Sequence, residues 1–301
     1  MISPRLLARC LARRLSALAL ALALAMAASP ALAVDQSAPG AKRLVAIGGS
    51  ITEIVYELGQ HARLVARDST SQYPQDAAEL PDVGYMRALS PEGVLSVDPD
   101  LIIALEGAGP PETVEVLRRA SVPIVFVPET YDRDGVVDKI EIVGNALGVT
   151  AAAASMAARV AEDIAAAQSI ATASGRQPRV MFVLSIRDGR IMASGTGTAA
   201  NGIITLAGAQ NAITEYEGYR QLTDEAVIEA APDYILMMDR SGEHDLSPAE
   251  LVAIPAIATT PAGAAGQIIR MNGSYLLGFG PRTAAAVRDL ANALHAQTGH
   301  E

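Results

Sequence analysis

One sequence motif occurs twice in this chain, and its repetition is the strongest indication of the fold. In the first copy, residues 83–93, Tyr85 and Arg87 precede a helix start. Ser90 is a good N-cap there, and Pro91 suits the first helical position. Tyr85 and Arg87 are therefore expected on a loop between rigid elements, where binding groups tend to lie.

The second copy, residues 218–228, aligns with the first at polar and apolar positions alike. The matched pairs are Ser90 with Thr223, Glu92 with Glu225, Val94 with Val227, Pro99 with Pro232 and Asp100 with Asp233. Each copy leads into an apolar strand, at 101–105 and 234–238. Because a repeat of this spacing is not that of a solenoid, it predicts two related α/β lobes. The alternative is coincidence, since Pro-Asp before an apolar strand is ordinary turn chemistry.

The first 33 residues have the layout of a secretory signal peptide. Four arginines precede a Leu/Ala run, and Ala31-Leu32-Ala33 supplies a small-residue cleavage site, so cleavage is expected after Ala33. The one cysteine, Cys10, lies before the apolar run and is removed with it. An exported chain without disulfides must depend on its hydrophobic core.

Charge and composition exclude several classes of partner. Loss of the four arginines leaves 19 basic residues against 33 acidic ones, a net charge of −14 in place of −10. Nucleic acid and anionic membrane surfaces are poor partners for such a chain. With 50% hydrophobic residues, the chain can bury a substantial core.

The predicted organisation places an α/β lobe at 34–133, a linking helix or helix pair at 134–173 and a second α/β lobe at 174–301. The middle stretch is Ala-rich, which favours helix over a flexible tether. Strands are predicted at 42–47, 64–67, 101–105, 124–127, 180–184, 234–238 and 267–271. A hairpin turn is predicted at 187–190, and a closing helix at 283–295.

The sequence lacks the common signatures of enzymes, and we expect no enzymatic activity. The turn Gly48-Gly49-Ser50 before a helix is a general anion cradle, but the third glycine of the dinucleotide fingerprint is missing. The sequence also contains no G-x-S-x-G nucleophile elbow. A secreted hydrolase or oxidoreductase is therefore the least favoured class.

The alternation of strands and helices in two halves resembles class III periplasmic substrate-binding proteins of ABC importers, most closely over residues 43–105. Three segments resemble the haem-binding (hemin) branch of that family: 82–93, Gly49-Ser50-Ile51-Thr52-Glu53, and Leu277 to Thr283. The resemblance implies two Rossmann-like lobes joined by a long linking helix, with a ligand cleft between them. It further implies a periplasmic monomer that captures ferric haem and delivers it to an ABC permease in the inner membrane.

The same resemblance assigns the iron ligand. It makes Tyr85 the axial ligand of the iron of haem b, the transported ligand. A phenolate is a suitable haem ligand, and a guanidinium such as that of Arg87 would favour its formation. Tyr219 and Arg220 are the counterparts of this motif in the second copy of the repeat, and from that position they would meet the haem propionates from the opposite lobe. The structural alternatives are a rim aromatic that packs on its own lobe for each tyrosine, and ordinary surface charge for each arginine.

Some family members add a histidine ligand from the opposite lobe, and this chain departs from them. None of its histidines lies early in the second lobe: they are His61, His244, His295 and His300. His244 is expected on a solvated loop, and His295 and His300 in the tail. Coordination by Tyr85 alone is therefore expected.

Glu92 and Glu225 occupy equivalent positions at the starts of the two repeated helices. In the family such a pair forms salt bridges with arginines of the permease, one from each lobe. Glutamate in a first helical turn is also favoured by the helix dipole without any partner.

Two other ligand classes fit the scaffold to different degrees. A ferric siderophore or cobalamin would occupy the same cleft without a tyrosine ligand. Free zinc or manganese is disfavoured because a histidine-rich ligand set is missing.

Overall fold

The computed structural model describes residues 38–187, 189–239 and 246–295. Its strands form two sheets within one structural unit. The first sheet is wholly parallel, with the order β2-β1-β3-β4. Its strands are β1 (Leu44–Ile47), β2 (Leu64–Arg67), β3 (Leu101–Leu105) and β4 (Ile124–Val127).

The central strands of the first sheet are apolar at every position. All residues of β1 and β3 are buried, as is typical of parallel strands that are covered on both faces. The prediction of β2, β3 and β4 is confirmed residue for residue. Strand β1 starts two residues later than predicted, because the amides of Lys42 and Arg43 donate to the carboxylate of Asp100, each at 2.8 Å.

Three helices belong to the first lobe: α1 (Gly49–Glu57), α2 (Pro91–Leu95) and α3 (Pro111–Arg119). The predicted cap of α2 is present, since the hydroxyl of Ser90 accepts from the amide of Gly93 at 3.0 Å. The matching cap in the second lobe is also present, where the hydroxyl of Thr223 accepts from the amide of Ala226 at 3.2 Å.

The Ala-rich stretch forms a pair of helices, α4 (Arg133–Leu147) and α5 (Thr150–Ser174). Gly148 ends α4 with a φ of 74°, a backbone conformation that favours glycine. The two helices approach closely at Gly144, where an added Cβ would lie 2.0 Å from the Cβ of Ala153. The pair is therefore packed and is not a tether.

The second sheet differs from the first because part of it is antiparallel. Its order is β10-β9-β5-β6-β8, with the short β7 paired to β5. Strands β5 and β6 form the predicted hairpin, and β8 continues antiparallel to β6. The strands are β5 (Arg179–Arg187), β6 (Arg190–Ser194), β7 (Gln210–Asn211), β8 (Tyr219–Gln221), β9 (Tyr234–Asp239) and β10 (Ile268–Asn272).

Helices cover both faces of the second sheet. They are α6 (Ala199–Leu206), α7 (Asp224–Ala230), α8 (Pro248–Val252), α9 (Pro255–Ala258), α10 (Pro261–Ala265), α11 (Gly273–Leu277) and α12 (Thr283–His295). Within the described ranges, none of the helices combines the length and the apolar character needed to span a bilayer.

The buried side chains form two clusters that divide at the second sheet. The larger cluster runs from the first sheet through α4 and α5 to one face of the second sheet, where Phe182 and Leu236 lie. The smaller cluster packs the opposite face, where Met181 and Ile235 lie, against α7 to α10. The two lobes therefore share a continuous apolar core.

Two sequence expectations are corrected by the packing. His295 is not a tail residue: it is buried at the end of α12, with Nδ1 2.8 Å from the Ser174 hydroxyl and Nε2 3.0 Å from the carbonyl oxygen of Ala207. The turn at Gly48 is not an open anion cradle either. The carboxylate of the buried Asp68 accepts from the amide of Gly48 at 2.9 Å, so the chain's own acid fills that position.

Asp68 is expected to be a major stabilising residue of the first lobe. Its carboxylate also accepts from the Ser71 hydroxyl and from the amide and hydroxyl of Thr70, at 2.8 to 3.1 Å. Asp68→Ala removes the acceptor that these donors share and should lower the free energy of unfolding by about 3 kcal/mol, measured by urea denaturation. Asp76→Ala, at an exposed position, is the control. Equal stability of the two variants would contradict this account.

Candidate functional site

Tyr85 lies on a loop that is hydrogen-bonded to its surroundings on both sides. Gly84 adopts a φ of 104°, which only glycine takes without strain, and its amide donates to the carboxylate of Asp82 at 2.8 Å. After the loop, the carbonyl oxygen of Met86 accepts from the amide of Gly109 at 2.8 Å. Tyr85 itself is 48% exposed. The loop therefore presents an accessible phenol from a fixed backbone.

Arg87 acts on a tyrosine of each lobe. Burial raises the pKa of Tyr131, which follows β4, and that of Tyr219 on β8, and the positive charge of Arg87 opposes both increases. A charge acts on a phenol in this way only over a short distance. Arg87 therefore lies near Tyr131 of its own lobe and near Tyr219 of the second lobe.

Tyr219 lies on a strand and not on a loop, unlike its counterpart Tyr85. Its ring packs edge to face against Phe182 of β5, with centroids 6.4 Å apart. Partial burial raises the pKa of Tyr219, while the Thr198 hydroxyl and the charge of Arg87 oppose the rise. Of the predicted second-lobe pair, Tyr219 is the residue that the structure places near Arg87.

Arg220 lies on the other face of the same sheet, and the expectation that it joins Tyr219 is not met. Successive residues of a strand point to opposite faces. The guanidinium of Arg220 stacks over the ring of Tyr216, 5.0 Å from its centroid. It lines a separate cavity of about 360 Å³ together with residues of α7 such as Ala226 and Glu229.

Tyr131 belongs to the site and was missed from the sequence. Burial, reinforced by the neighbouring Glu129 carboxylate, raises the pKa of Tyr131 to about 12. Its hydroxyl donates to that carboxylate at 3.4 Å, and its ring packs edge to face on Phe279 of the second lobe at 5.3 Å. The available signal was its position just after β4, because ligands gather at the carboxyl ends of parallel strands.

Glu92 and Glu225 are both exposed in the first turns of their helices, α2 and α7. Backbone amide hydrogen bonding and the Thr223 hydroxyl lower the pKa of Glu225. The predicted helix-start position therefore holds for both residues, and both carboxylates are open to solvent.

Of the remaining candidates, His61 stacks on Tyr56 with ring centroids 5.0 Å apart. His244 and His300 lie outside the described residues. Across residues 38–187, 189–239 and 246–295, no three His, Cys, Asp or Glu side chains are grouped in a way that would hold a metal ion.

Arg87 acts on Tyr219, and Arg220 acts on Tyr216 at the other face of the second sheet, so the pKa values of these tyrosines can test the placement of the two arginines. In Arg87→Met, loss of the positive charge should raise the pKa values of Tyr219 and Tyr131, measured by NMR of ring-labelled tyrosines over a pH series. The matched control Arg220→Met should raise the pKa of Tyr216, which its charge lowers, and leave Tyr219 unchanged. A shift of Tyr219 in the Arg220 variant would contradict the assigned faces.

Two solved haem-binding proteins have a fold similar to that of this chain. The periplasmic haem-binding protein RhuT from Roseiflexus sp. RS-1 matches with a TM-score of 0.81 and 38% identity, covering 85% of this chain and 98% of that one. The periplasmic haem-binding protein BhuT, solved in complex with two haems, matches with a TM-score of 0.79 and 39% identity, covering 84% and 99%.

Sequence relatives point to the same scaffold. The uncharacterised ABC transporter substrate-binding lipoprotein YvrC of Bacillus subtilis is 28% identical over 201 residues, 66% of this chain and 64% of YvrC. The match thus spans less than two thirds of that relative. A cobalamin-binding protein of Halobacterium salinarum is 28% identical over 264 residues, 85% of this chain and 70% of that protein.

A model of the periplasmic binding protein family matches residues 44–275, which contain both sheets and the helix pair α4 and α5. The chain belongs to the periplasmic binding protein family.

Proposed function

We propose that this protein captures ferric haem between its lobes and delivers it to an ABC importer in the inner membrane. The observation that carries the proposal is Tyr85, an accessible phenol on a fixed glycine-opened loop, in a chain 38–39% identical to two haem-binding proteins. Haem is the transported ligand here and not a resident cofactor.

Tyr85 is the proposed iron ligand. A phenolate oxygen is a hard donor that suits ferric iron, and tyrosine is an established axial ligand of haem. Its 48% exposure leaves the oxygen open to a large planar ligand. The hydrogen bonds of Gly84 and Met86 hold the loop before the ligand arrives, which limits the entropy lost on binding.

Arg87 and Tyr219 are the proposed contacts of the haem edge. Arg87 carries a positive charge toward the second lobe, and a guanidinium pairs well with a carboxylate such as a propionate. Tyr219 offers an aromatic ring that is 37% exposed. We add Tyr131 to this wall because Arg87 acts on it as well. Arg220 is left out, since it lies on the other face of the second sheet.

Glu92 and Glu225 are the proposed docking residues for the permease. Both carboxylates are exposed, and each lies in the first turn of one copy of the repeated helix, one per lobe. Helix capping does not require Glu92 or Glu225 themselves, because the Ser90 and Thr223 hydroxyls already provide it. We further propose that the protein is exported to the periplasm, that its signal peptide is removed after Ala33, and that it acts as a monomer.

A second candidate ligand is cobalamin, which the similarity to a cobalamin-binding protein favours. The lower identity, 28% against 38–39%, places it second. A cobalamin ligand would not use a phenolate from Tyr85.

A hemin titration followed by absorbance tests the ligand assignment. The purified protein should give a saturable spectrum of high-spin ferric haem with charge-transfer bands. Tyr85→Ala should remove those bands and weaken binding by about 100-fold, because the iron loses its only predicted protein ligand. Tyr216→Phe, on the outer face of the second lobe, is the matched control. An unchanged spectrum in Tyr85→Ala would rule out Tyr85 as the iron ligand. Saturable binding of cobalamin, without binding of hemin, would indicate that cobalamin is the transported ligand.

An uptake assay tests docking separately from capture. The double variant Glu92→Ala, Glu225→Ala should bind hemin as the unmodified protein does, yet fail to support hemin uptake in cells or vesicles that contain the importer. Glu162→Ala, an exposed glutamate on α5, is the control. Normal uptake by the double variant would remove the docking role of these two residues.

A further inference from the structure

Two of the segments that resemble the haem-binding branch meet each other and do not line the proposed haem contacts. Glu53, in the segment 49–53, forms a two-point ion pair with Arg282, in the segment 277–283. Nε of Arg282 lies 2.8 Å from Oε2 of Glu53, and the second nitrogen lies 2.6 Å from Oε1. Glu53 is on α1 of the first lobe and Arg282 precedes α12 of the second lobe. The ion pair therefore joins the two lobes.

Aromatic rings from both lobes enclose the guanidinium of Arg282. It lies 3.8 Å from the ring centroid of Tyr73, on a first-lobe loop, and 5.4 Å from that of Tyr275 in α11. Contact with aromatic faces stabilises a guanidinium and also fixes its plane. The backbone is equally close, since a Cβ added at Gly280 would lie 3.1 Å from the Cβ of Ser50.

A second buried ion pair is linked to the same turn. Lys139 of α4 has a fully buried side chain, and its ammonium group donates to Oε1 of Glu129 at 2.6 Å and to the Ser50 hydroxyl at 3.3 Å. The opposite carboxylate oxygen of Glu129 accepts from Tyr131. The network thus extends from the lobe junction to Tyr131, one of the proposed haem contacts. Its two acids and two bases balance in charge.

Such a network defines a position more than it adds stability. Burial raises the pKa of Glu53 despite the opposing effect of Arg282, which indicates a costly environment for charge. Buried ion pairs are often no more stabilising than apolar residues of the same size, but they require one relative placement of their partners. The apolar core that the lobes share is non-directional and does not impose such a placement.

We propose that the Glu53–Arg282 pair, held between Tyr73 and Tyr275, is a joint that sets the separation and angle of the two lobes. Through this placement it positions Tyr85 and Arg87 opposite Tyr219. Glu53 and Arg282 are positioning residues, and they need not touch the ligand. The consequence for haem rests on the proposed function, whereas the joint itself does not.

The joint is tested by distances between the lobes in the ligand-free protein. In a Cys10→Ser background, cysteines that replace the exposed Val116 of α3 and Ile228 of α7 carry spin labels, and pulsed electron resonance measures the distance between them. The double variant Glu53→Leu, Arg282→Met removes both charges, keeps apolar volume and leaves no unpaired buried ion. It should shift and broaden the distance distribution. Arg282→Lys keeps the charge but loses the two-point hydrogen bond to Glu53 and the stacking on Tyr73, so it should give an intermediate distribution.

The control is the exposed ion pair of Arg133 and Asp134, which lies 3.0 Å apart at the start of α4. Arg133→Met, Asp134→Asn should leave the distance distribution unchanged. The Glu53→Leu, Arg282→Met variant could instead give the same distance distribution as the unmodified protein while circular dichroism shows that it is folded. That result would overturn the proposed joint.

Hemin kinetics then separate positioning from ligation. The double joint variant should release hemin several-fold faster while its absorbance spectrum stays that of the unmodified protein, because Tyr85 is untouched. An altered spectrum, or an unchanged release rate, would contradict a positioning role. If the unmodified protein does not bind hemin, the proposed function fails, and the distance measurement still decides whether the joint exists.

Discussion

The two central strands of the first sheet are buried on both faces, and the position of the candidate site follows from their parallel arrangement. Parallel strands need crossover connections, so every strand of that sheet ends at the same edge. The loops after those strands gather there, among them the segment with Glu129 and Tyr131 after β4. The accessible phenol of Tyr85 is presented from a loop that is hydrogen-bonded into the same region.

Strand alternation decides which second-lobe residues can serve the site. Tyr219 pairs with Ser194 and shares the face of Phe182, whereas Arg220 pairs with Ala193 and lies over Tyr216. Two residues that are adjacent in sequence therefore belong to different sites. The repeat that predicted two related lobes holds for the helix caps, but the antiparallel β6 and β8 make the second sheet unlike the first.

The lobes meet through a shared apolar core and a polar network, and the two have different effects. The core provides most of the driving force, because apolar burial is large and independent of direction. The ion pair of Glu53 with Arg282 adds a geometric requirement, since its two residues meet at only one relative position of the lobes. In a binding protein, that geometry determines what the cleft accepts.

Signals within a few residues were enough to predict the local structure. Apolar runs predicted the strands of the first sheet, Ser90 and Thr223 predicted two helix starts, and a glycine-opened motif singled out Tyr85, because these signals act over a few residues. Contacts between distant segments became visible only in the folded structure. Tyr131, the buried His295, the face of Arg220 and the pairing of Glu53 with Arg282 depend on how segments far apart in the chain pack, and sequence spacing does not encode which of their side chains meet.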